Sequence, residues 1–528
     1  MNRIKIIVLV VCLLFSGALT AGTLQERLNS ISKFEMQSVM EFLSHDLLEG
    51  RGPATTGGNI AELYMQSLFK LLDFFPGAGQ KYFQPFNLNC FTIKSLDTDI
   101  GYLPMKYRTD VVGSWVGEEE QFSLESDAVF VGFGIKAALW NWDDYKDSDV
   151  KGKIVIARVN DPGMFLPDIF EGKTLTFYGR WTYHVEEAAR RGAAGILLIH
   201  TDESAGYNWD VVKNSWSGEE VYLQSDLTNS LKFRGWIRES QLRKALAEKK
   251  INLEELYIKS LDRKFKPIPL DLKIALKGTC TQRVAVNNNV IAIIPGKSTK
   301  KIVLSAHIDH LGKGEATNSF EDTIFNGAID NASAVTAMTI TAKILKEFQA
   351  QLNYTIVILA CQSEEAGLKG SKYYVESLSP QERADIIANI NFESTPVWGK
   401  SVDFMAIGGH FSTLEDTLKG ILAKEGLQYS TFSLANLGLM YRSDQFSFAR
   451  ANIPAIWLSA GENDASGQKL FNGFWKTIYH TVKDEYNPDW PLDGMQQTIK
   501  MVVLLIDELN RTQVAPTWKG QLTFPIDK

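Results

Sequence analysis

Apolar residues change their spacing along this chain, and each spacing predicts a different kind of element. Near the start, Leu24, Leu28, Ile31 and Phe34, then Val39, Leu43, Leu47 and Leu48, recur at steps of three and four, the period of a helix with one buried face. The stretch H-D-L-L-E-G-R-G-P-A-T-T-G-G at 45–58 interrupts this with glycine and proline and predicts a loop, after which Ile60 to Leu72 resumes the helical period. From about Glu118 the apolar runs shorten, so 128–134, 153–159 and 194–200 predict strands and 183–192 a helix. Beyond Asn287 strands at 289–294, 302–306, 354–361, 386–392, 402–407 and 454–458 alternate with helices at 333–348, 370–378, 414–423 and 496–509. These strands are continuous apolar runs, the pattern of a sheet covered on both faces. The expected fold class is α/β, a mostly parallel sheet flanked by helices, with a smaller β-rich α+β unit inserted over about 118–275. No internal repeat or low-complexity tract interrupts it.

Length sharpens this division, because 528 residues are too many for one core. A hydrophobic content of 45% and a charged content of 22% are those of an ordinary folded protein. The net charge of −7, without any Lys/Arg-dense run, excludes nucleic acid as the expected partner. Arg3 and Lys5, the apolar run Ile6 to Phe15 and Ala-Leu-Thr-Ala at 18–21 predict an export signal over 1–21 and a periplasmic or extracellular destination. That run is too short to span a bilayer, so no stable membrane span is expected once the signal is removed. Cys12 lies inside the signal. Of the other cysteines, Cys361 ends an apolar strand and is expected to be a small core residue, whereas Cys90 and Cys280 could pair or stay two buried thiols.

Candidate chemistry collects at strand ends. In open α/β sheets, ligands bind beyond the carboxyl ends of the strands. His307 follows one predicted strand, Glu364 and Glu365 lie three and four residues past another, and Glu393 directly follows a third. One histidine at a strand end is more often structural than a ligand, but four such groups at equivalent positions reverse that expectation. Asp330 opens a helix, where it could be a cap or a bridging ligand, and His480 adds a late imidazole. A pair of metal ions needs about this inventory: a bridging carboxylate, imidazole and carboxylate ligands, and a spare carboxylate as base. His307 and Asp309 are two apart, so in extended chain Asp309 can accept the second imidazole N–H and orient the ring. The adjacent Glu364 and Glu365 point different ways, so one can bind metal while the other moves protons. His310 could line this site or be structural. His45, His184, His200 and His410 have no supporting constellation, and Trp140, Trp142 and Trp216 are expected to pack the inserted unit.

Five segments carry a resemblance: L-S-A-H-I-D-H-L-G (304–312), N-G-A-I-D-N-A-S-A (326–334), S-E-E-A-G-L-K-G-S (363–371), Y-R-S-D-Q-F-S-F-A-R-A-N-I-P-A (441–455) and Y-H-T-V-K-D-E-Y-N-P-D-W (479–490). In order and spacing they resemble the M28 family of metallopeptidases, the co-catalytic zinc aminopeptidases. The stretch 118–275 is similar to an inserted protease-associated domain, dividing the peptidase domain into 22–117 and 276–528. The resemblance implies a zinc-peptidase/phosphorylase-like fold and two Zn2+ ions. His307 and Glu393 would hold one ion and Glu365 and His480 the other, with Asp330 bridging. Glu364 would be the general base, Asp309 the group orienting His307. Ser443 and Asp444 would line the pocket, and Tyr441 would reach a substrate carbonyl or its oxyanion. The implied substrate is a peptide with a free N-terminus.

Two positions depart from the family pattern. Glu393 stands where Asp is usual, which would change the spacing or identity of one metal, and Gln445 stands where His is frequent, which would alter the pocket. The acidic residues Glu315, Glu321 and Asp322 are expected in a surface loop over the cleft. Rival readings are a carboxypeptidase or dipeptidase, which a basic residue such as Arg442 pointing into the pocket would favour, a glutaminyl cyclase, or an inactive binding protein.

Overall fold

Two long strands tie the molecule together in a computed structural model that describes residues 23–526 except 118, 147, 228–230, 315–321, 432–436 and 464–469. The expected export signal, Glu315 and Glu321 lie outside the described residues. In chain order the main strands are β1 (Phe83–Ile100), β2 (Val111–Trp115), β3 (Gln121–Phe130), β4 (Ile154–Arg158), β5 (Gly195–His200) and β6 (Phe233–Arg238), followed by β7 (Ile268–Ile294), β8 (Lys301–His307), β9 (Thr355–Cys361), β10 (Ile386–Asn391), β11 (Asp403–Ile407) and β12 (Ala455–Ala460).

The larger lobe has the strand order β11-β12-β10-β8-β9-β7. Its middle four strands are parallel, while β11 and β7 run antiparallel at the flanks. Successive side chains leave a strand on opposite faces. Thus Ile302, Leu304 and Ala306 of β8 join one core with the helices Ala334–Glu347 and Asp493–Thr512. Val303 joins the opposite core, with the helices Lys369–Ser377 and Gln445–Arg450. Both faces are covered, which is why these strands read as unbroken apolar runs. The fold class is the expected α/β sheet flanked by helices.

The second lobe continues the same sheet. Strand β7 is 27 residues long and pairs antiparallel with β1 from Ile274 opposite Ile100 to Val290 opposite Phe83. Beyond the first lobe β7 also pairs with β3, and the sheet goes on through β4, β5, β6 and β2. This part has its own cores, with Leu197 and Phe233 on one face and Leu198, Trp209 and Trp216 on the other. Two elements differ from the sequence expectation. The strand expected at 289–294 is only the end of β7, because Lys273, Lys277, Thr279, Thr281 and Arg283 alternate with apolar residues in a half-exposed ribbon rather than forming a buried run. Strand β2, which precedes 118, pairs with β6 and so lies in this lobe.

Cys90 and Cys280 are both free and buried. Cys280 stands opposite Ile93 and Cys90 opposite Arg283, and the two thiols belong to different apolar clusters. Among the described residues, no helix is long and apolar enough to cross a membrane.

Candidate metal centre

Strand register brings the acidic and imidazole groups to one edge. His307 is the last residue of β8 and stands opposite Cys361, the last residue of β9, while Ser305 stands opposite Asn391 at the end of β10. Glu364 and Glu365 therefore leave the sheet beside His307, and Glu393 leaves it two residues past β10. Asp330 enters from the turn Ala328–Ser333, which leads into the buried helix Ala334–Glu347. The Asp484 carboxylate holds that turn by accepting the N–H of Ile329 at 2.8 Å and of Asp330 at 2.9 Å. His480, four residues before Asp484, approaches from the far side.

The groups converge around Asp330. His307 Nε2 lies 3.3 Å from Asp330 Oδ1 and 3.3 Å from Glu393 Oε2. His480 Nε2 lies 3.4 Å from Asp330 Oδ2 and 3.0 Å from Glu365 Oε2. One carboxylate thus offers one oxygen to each of two ligand sets. Two ligands on a tetrahedral zinc, with bonds of about 2.0–2.1 Å, stand about 3.3 Å apart, so the separations fit shared coordination. His480 Nε2 is also buried with no hydrogen bond of proper direction, although two carboxylates lie close to it. Glu364 stands beside the first set, its Oε2 3.9 Å from His307 Nε2.

Electrostatics separate the two adjacent glutamates. Burial raises the Glu364 carboxyl well above its ordinary range; His307 opposes this, and Glu365, Glu393 and Asp444 add to it. Glu365 is buried too, but His480 and His310 hold it at about 2 despite the nearby Asp330 charge. Burial works against a charged His307, yet Glu393, Glu364 and the contact with Asp330 raise it well above its ordinary value. His480 reaches about 10, with burial outweighed chiefly by Glu365 and Asp330.

Several groups stand differently from the sequence expectation. The Asp309 carboxylate does not take the imidazole N–H. His307 Nδ1 is 3.1 Å from the Asp309 carbonyl oxygen and 3.8 Å from its carboxylate. That carboxylate instead accepts the backbone N–H groups of Glu364 and Glu365, at 3.1 and 3.2 Å. The chain turns after His307, so residues two apart no longer share a side. Ser443 and Asp444 are buried beneath the cavity rather than on its wall. Ser443 Oγ donates to Glu393 Oε2 at 2.6 Å, and burial raises the Asp444 carboxyl. Tyr441 lines the cavity, but its hydroxyl lies 3.5 Å from Thr523 Oγ1 and its ring packs on Phe446 and Phe524. Gln445 braces the floor, accepting from Asn391 Nδ2 and donating to the carbonyls of Leu439 and Met440.

Two supporting residues, Arg51 and Asp484, escaped the sequence reading, and His310, which it left open between lining the site and a structural role, stands at the centre. His310 Nδ1 is 2.6 Å from Glu365 Oε1, and its ring can join Asp330 and Glu365 in a ligand group; the segment 304–312 was its only signal. Arg51 is buried behind the centre and donates to the carbonyls of Ile308 and Gly327. Burial lowers its guanidinium to about 10, while Asp484, Asp309, Asp330 and Glu365 favour its charge. It lies in the stretch read as a loop, where nothing in the sequence marks it. Asp484 sits inside a quoted motif but reads there as one acid among several.

Glu364, Glu365, His310 and His480 face a cavity of about 820 Å³ whose opposite wall includes Arg180, Tyr207 and Trp216 of the second lobe. That volume is typical of small-ligand sites.

Comparison with known proteins places this architecture. Residues 289–505 match the model of peptidase family M28. The chain is 28% identical over 184 residues to leupeptin-inactivating enzyme 1 of Streptomyces exfoliatus, an alignment covering 35% of this chain and 38% of that enzyme. It is 28% identical over 198 residues to leucine aminopeptidase 2 of Trichophyton equinum, covering 35% of this chain and 36% of the relative. Both alignments thus span well under half of the relatives. Among solved structures, the aminopeptidase from Aneurinibacillus sp. strain AM-1 is similar with a TM-score of 0.56 at 17% identity, covering 96% of this chain and 98% of that one; this likeness bears on the fold. Residues 289–505 are thus the segment that matches peptidase family M28, and the same segment carries the clustered acidic and imidazole groups.

Proposed function

We propose that the protein is an exported, zinc-dependent aminopeptidase that removes N-terminal residues from peptides. The observation that carries this reading is the division of the Asp330 carboxylate between His307 with Glu393 on one side and His480 with Glu365 on the other. His307, Glu393 and Asp330 would hold one zinc ion, and Glu365, His480 and Asp330 the second. Bound zinc supplies Lewis acidity and makes water a better nucleophile near neutral pH.

The chain's own residues then account for the proton. Glu364 ligates neither ion in this assignment and stands at the cavity edge. As the water oxygen bonds to the peptide carbonyl carbon, Glu364 accepts a water proton. It returns that proton to the leaving nitrogen as the C–N bond breaks, so water is added across the peptide bond. The acidic end of the cavity, with Glu365 beside Glu364, suits a free α-amine. Asp309 fixes both glutamates through their backbone N–H groups and acts as a positioning residue. In this reading 118–275 is a protease-associated domain inserted in the peptidase domain. It supplies Arg180, Tyr207 and Trp216 to the cavity wall and so limits substrate size.

The test is fluorophore release from aminoacyl and N-acetylated aminoacyl substrates by the purified chain with zinc, with chelator and as Glu364→Gln. Cleavage of free-amine substrates alone, abolished by chelator and cut by roughly 10²–10⁴ in the variant, is the expected result. Equal cleavage of acetylated substrates, or full activity in chelator, would sink the reading.

A further inference from the structure

Two arginines at the cavity have no part in that proton transfer. Arg180 stands at the start of the helix Trp181–Arg190 in the second lobe, and Arg442 lies between Tyr441 and Ser443 in the first. Both line the cavity that Glu364 faces. They are near neighbours electrostatically: burial, then the Arg442 charge, pushes the Arg180 guanidinium down to about 9, against the pull of Tyr207, Tyr479 and Glu364. It remains a cation at neutral pH.

Their donors are unspent. Arg180 Nε and Arg442 Nε and Nη2 are buried without an acceptor among the described residues, and Arg180 is only 8% exposed. The Arg442 guanidinium lies over the Tyr207 ring, 5.0 Å from its centroid. Stacking covers the face of the fork and leaves its edge for an in-plane acceptor. Three other cations that line the cavity are paired with carboxylates: Arg190 with Glu187 at 2.8 Å, Arg234 with Glu220 at 2.7 Å and Lys369 with Asp226 at 2.6 Å. Buried donors without acceptors, and two like charges held together away from water, are each unfavourable. An anion between the two guanidiniums relieves both, and a carboxylate matches their geometry.

We infer that Arg180 and Arg442 bind a substrate carboxylate beside the metal centre, so that the preferred substrates are short peptides with a carboxylate close to the bond that is cut. The inference rests on the peptidase reading for what the ligand is, and on the arginine geometry for its charge. The acidic end of the cavity takes the amine and the cationic wall takes the carboxylate, gripping both ends of a small zwitterion. The carboxylate comes from the C-terminus or from an Asp or Glu side chain.

The experiment measures kcat/KM of the zinc-loaded full chain for Leu-Ala against Leu-Ala-amide, and for Leu-Asp-amide against Leu-Asn-amide. Wild type, Arg180→Gln, Arg442→Gln and Arg442→Lys are compared. The expected result is a preference for the acid of roughly ten- to hundredfold, chiefly through KM. It shrinks toward one in both Gln variants and is partly kept in Arg442→Lys. A preference in the first pair assigns the C-terminal carboxylate, and one in the second pair the side chain. Ratios near one in both pairs for the wild type, or ratios unmoved by the Gln variants, would overturn the inference. Calorimetric binding of Leu-Ala and its amide to Glu364→Gln separates the two readings. Tighter binding of the acid without any wild-type turnover would remove the peptidase reading and leave the carboxylate site standing. Equal binding would remove the site even where cleavage occurs.

Discussion

His184 and His480 are both buried, one in each lobe, and they titrate in opposite directions. No carboxylate among the described residues figures in the His184 shift; burial lowers its pKa to about 4, opposed by the Gly179 and Phe133 carbonyls and helped by the Arg180 charge. His480 meets Glu365 and Asp330, which overcome burial and carry it to about 10. The same ring is therefore a neutral packing element in one lobe and a member of a charged cluster in the other. Burial alone does not identify a functional histidine. Buried carboxylates arranged around it do, because desolvating several negative charges is unfavourable unless cations join them.

The largest way to break this contrast is to remove the carboxylate both imidazoles share. Asp330→Asn withdraws the charge between His307 and His480 and leaves an amide that cannot serve two metals as a bridge. The expected outcome is loss of most bound zinc by elemental analysis, with activity down by roughly a thousandfold or more. The fold should persist, since the variant keeps the N–H groups that bond Asp484. A variant that keeps both zinc equivalents would show that Asp330 is not the bridge.

A smaller effect is expected from His184, and its sign follows from linkage. The unfolded chain takes up a proton near pH 6.5, whereas the folded chain refuses it until about pH 4. Between those values the unfolded state binds more protons, so stability falls as the pH falls. The shift corresponds to about 3 kcal/mol lost across that window. In His184→Gln the difference in urea unfolding free energy between pH 7 and pH 4 should be smaller by about that amount. An unchanged pH dependence would mean that His184 is already charged, or already partnered, in the folded chain.

These two histidines also show what could be read in the sequence. The sheet of the larger lobe was legible because helices cover both faces, which makes each strand an unbroken apolar run. The ends of those runs placed His307, Glu364, Glu365 and Glu393 together. Asp330, at a predicted helix start, and the late His480 stood out as candidates, but only motif resemblance divided the ligand roles between them, since loop positions carry no periodic signal. Strand β7 was mostly missed because a two-stranded ribbon with β1 alternates polar and apolar residues. Asp309 stands elsewhere than its two-residue spacing from His307 implies, because that spacing puts side chains together only in extended chain and the chain turns after His307. Arg51 and Arg180 were invisible: a buried arginine looks like a surface one until its neighbours are known.

The smallest effect tests how finely the site is fitted. Glu393 stands where the M28 pattern that this chain resembles usually has Asp, and its Oε2 lies 3.3 Å from His307 Nε2 while accepting the Ser443 hydroxyl at 2.6 Å. Ser443 is in turn held by Asn391, whose amide also bonds Gln445, the other departure from the family pattern. The two departures are thus joined through one hydrogen-bonded chain. If that chain is tuned to the longer carboxylate, Glu393→Asp does not restore a better site. It withdraws the ligand by one methylene and stretches the Ser443 bond. Loss of a supporting contact of this kind weakens metal affinity by roughly ten- to hundredfold, and the low end is expected here because Asp330 and His307 would still hold the proposed ion. Zinc titration against a competing chelator would read the change at one of the two proposed sites, leaving the other near its wild-type affinity. Tighter binding in the Asp variant would mean that Ser443 and Gln445 tolerate Glu393 without being fitted to it.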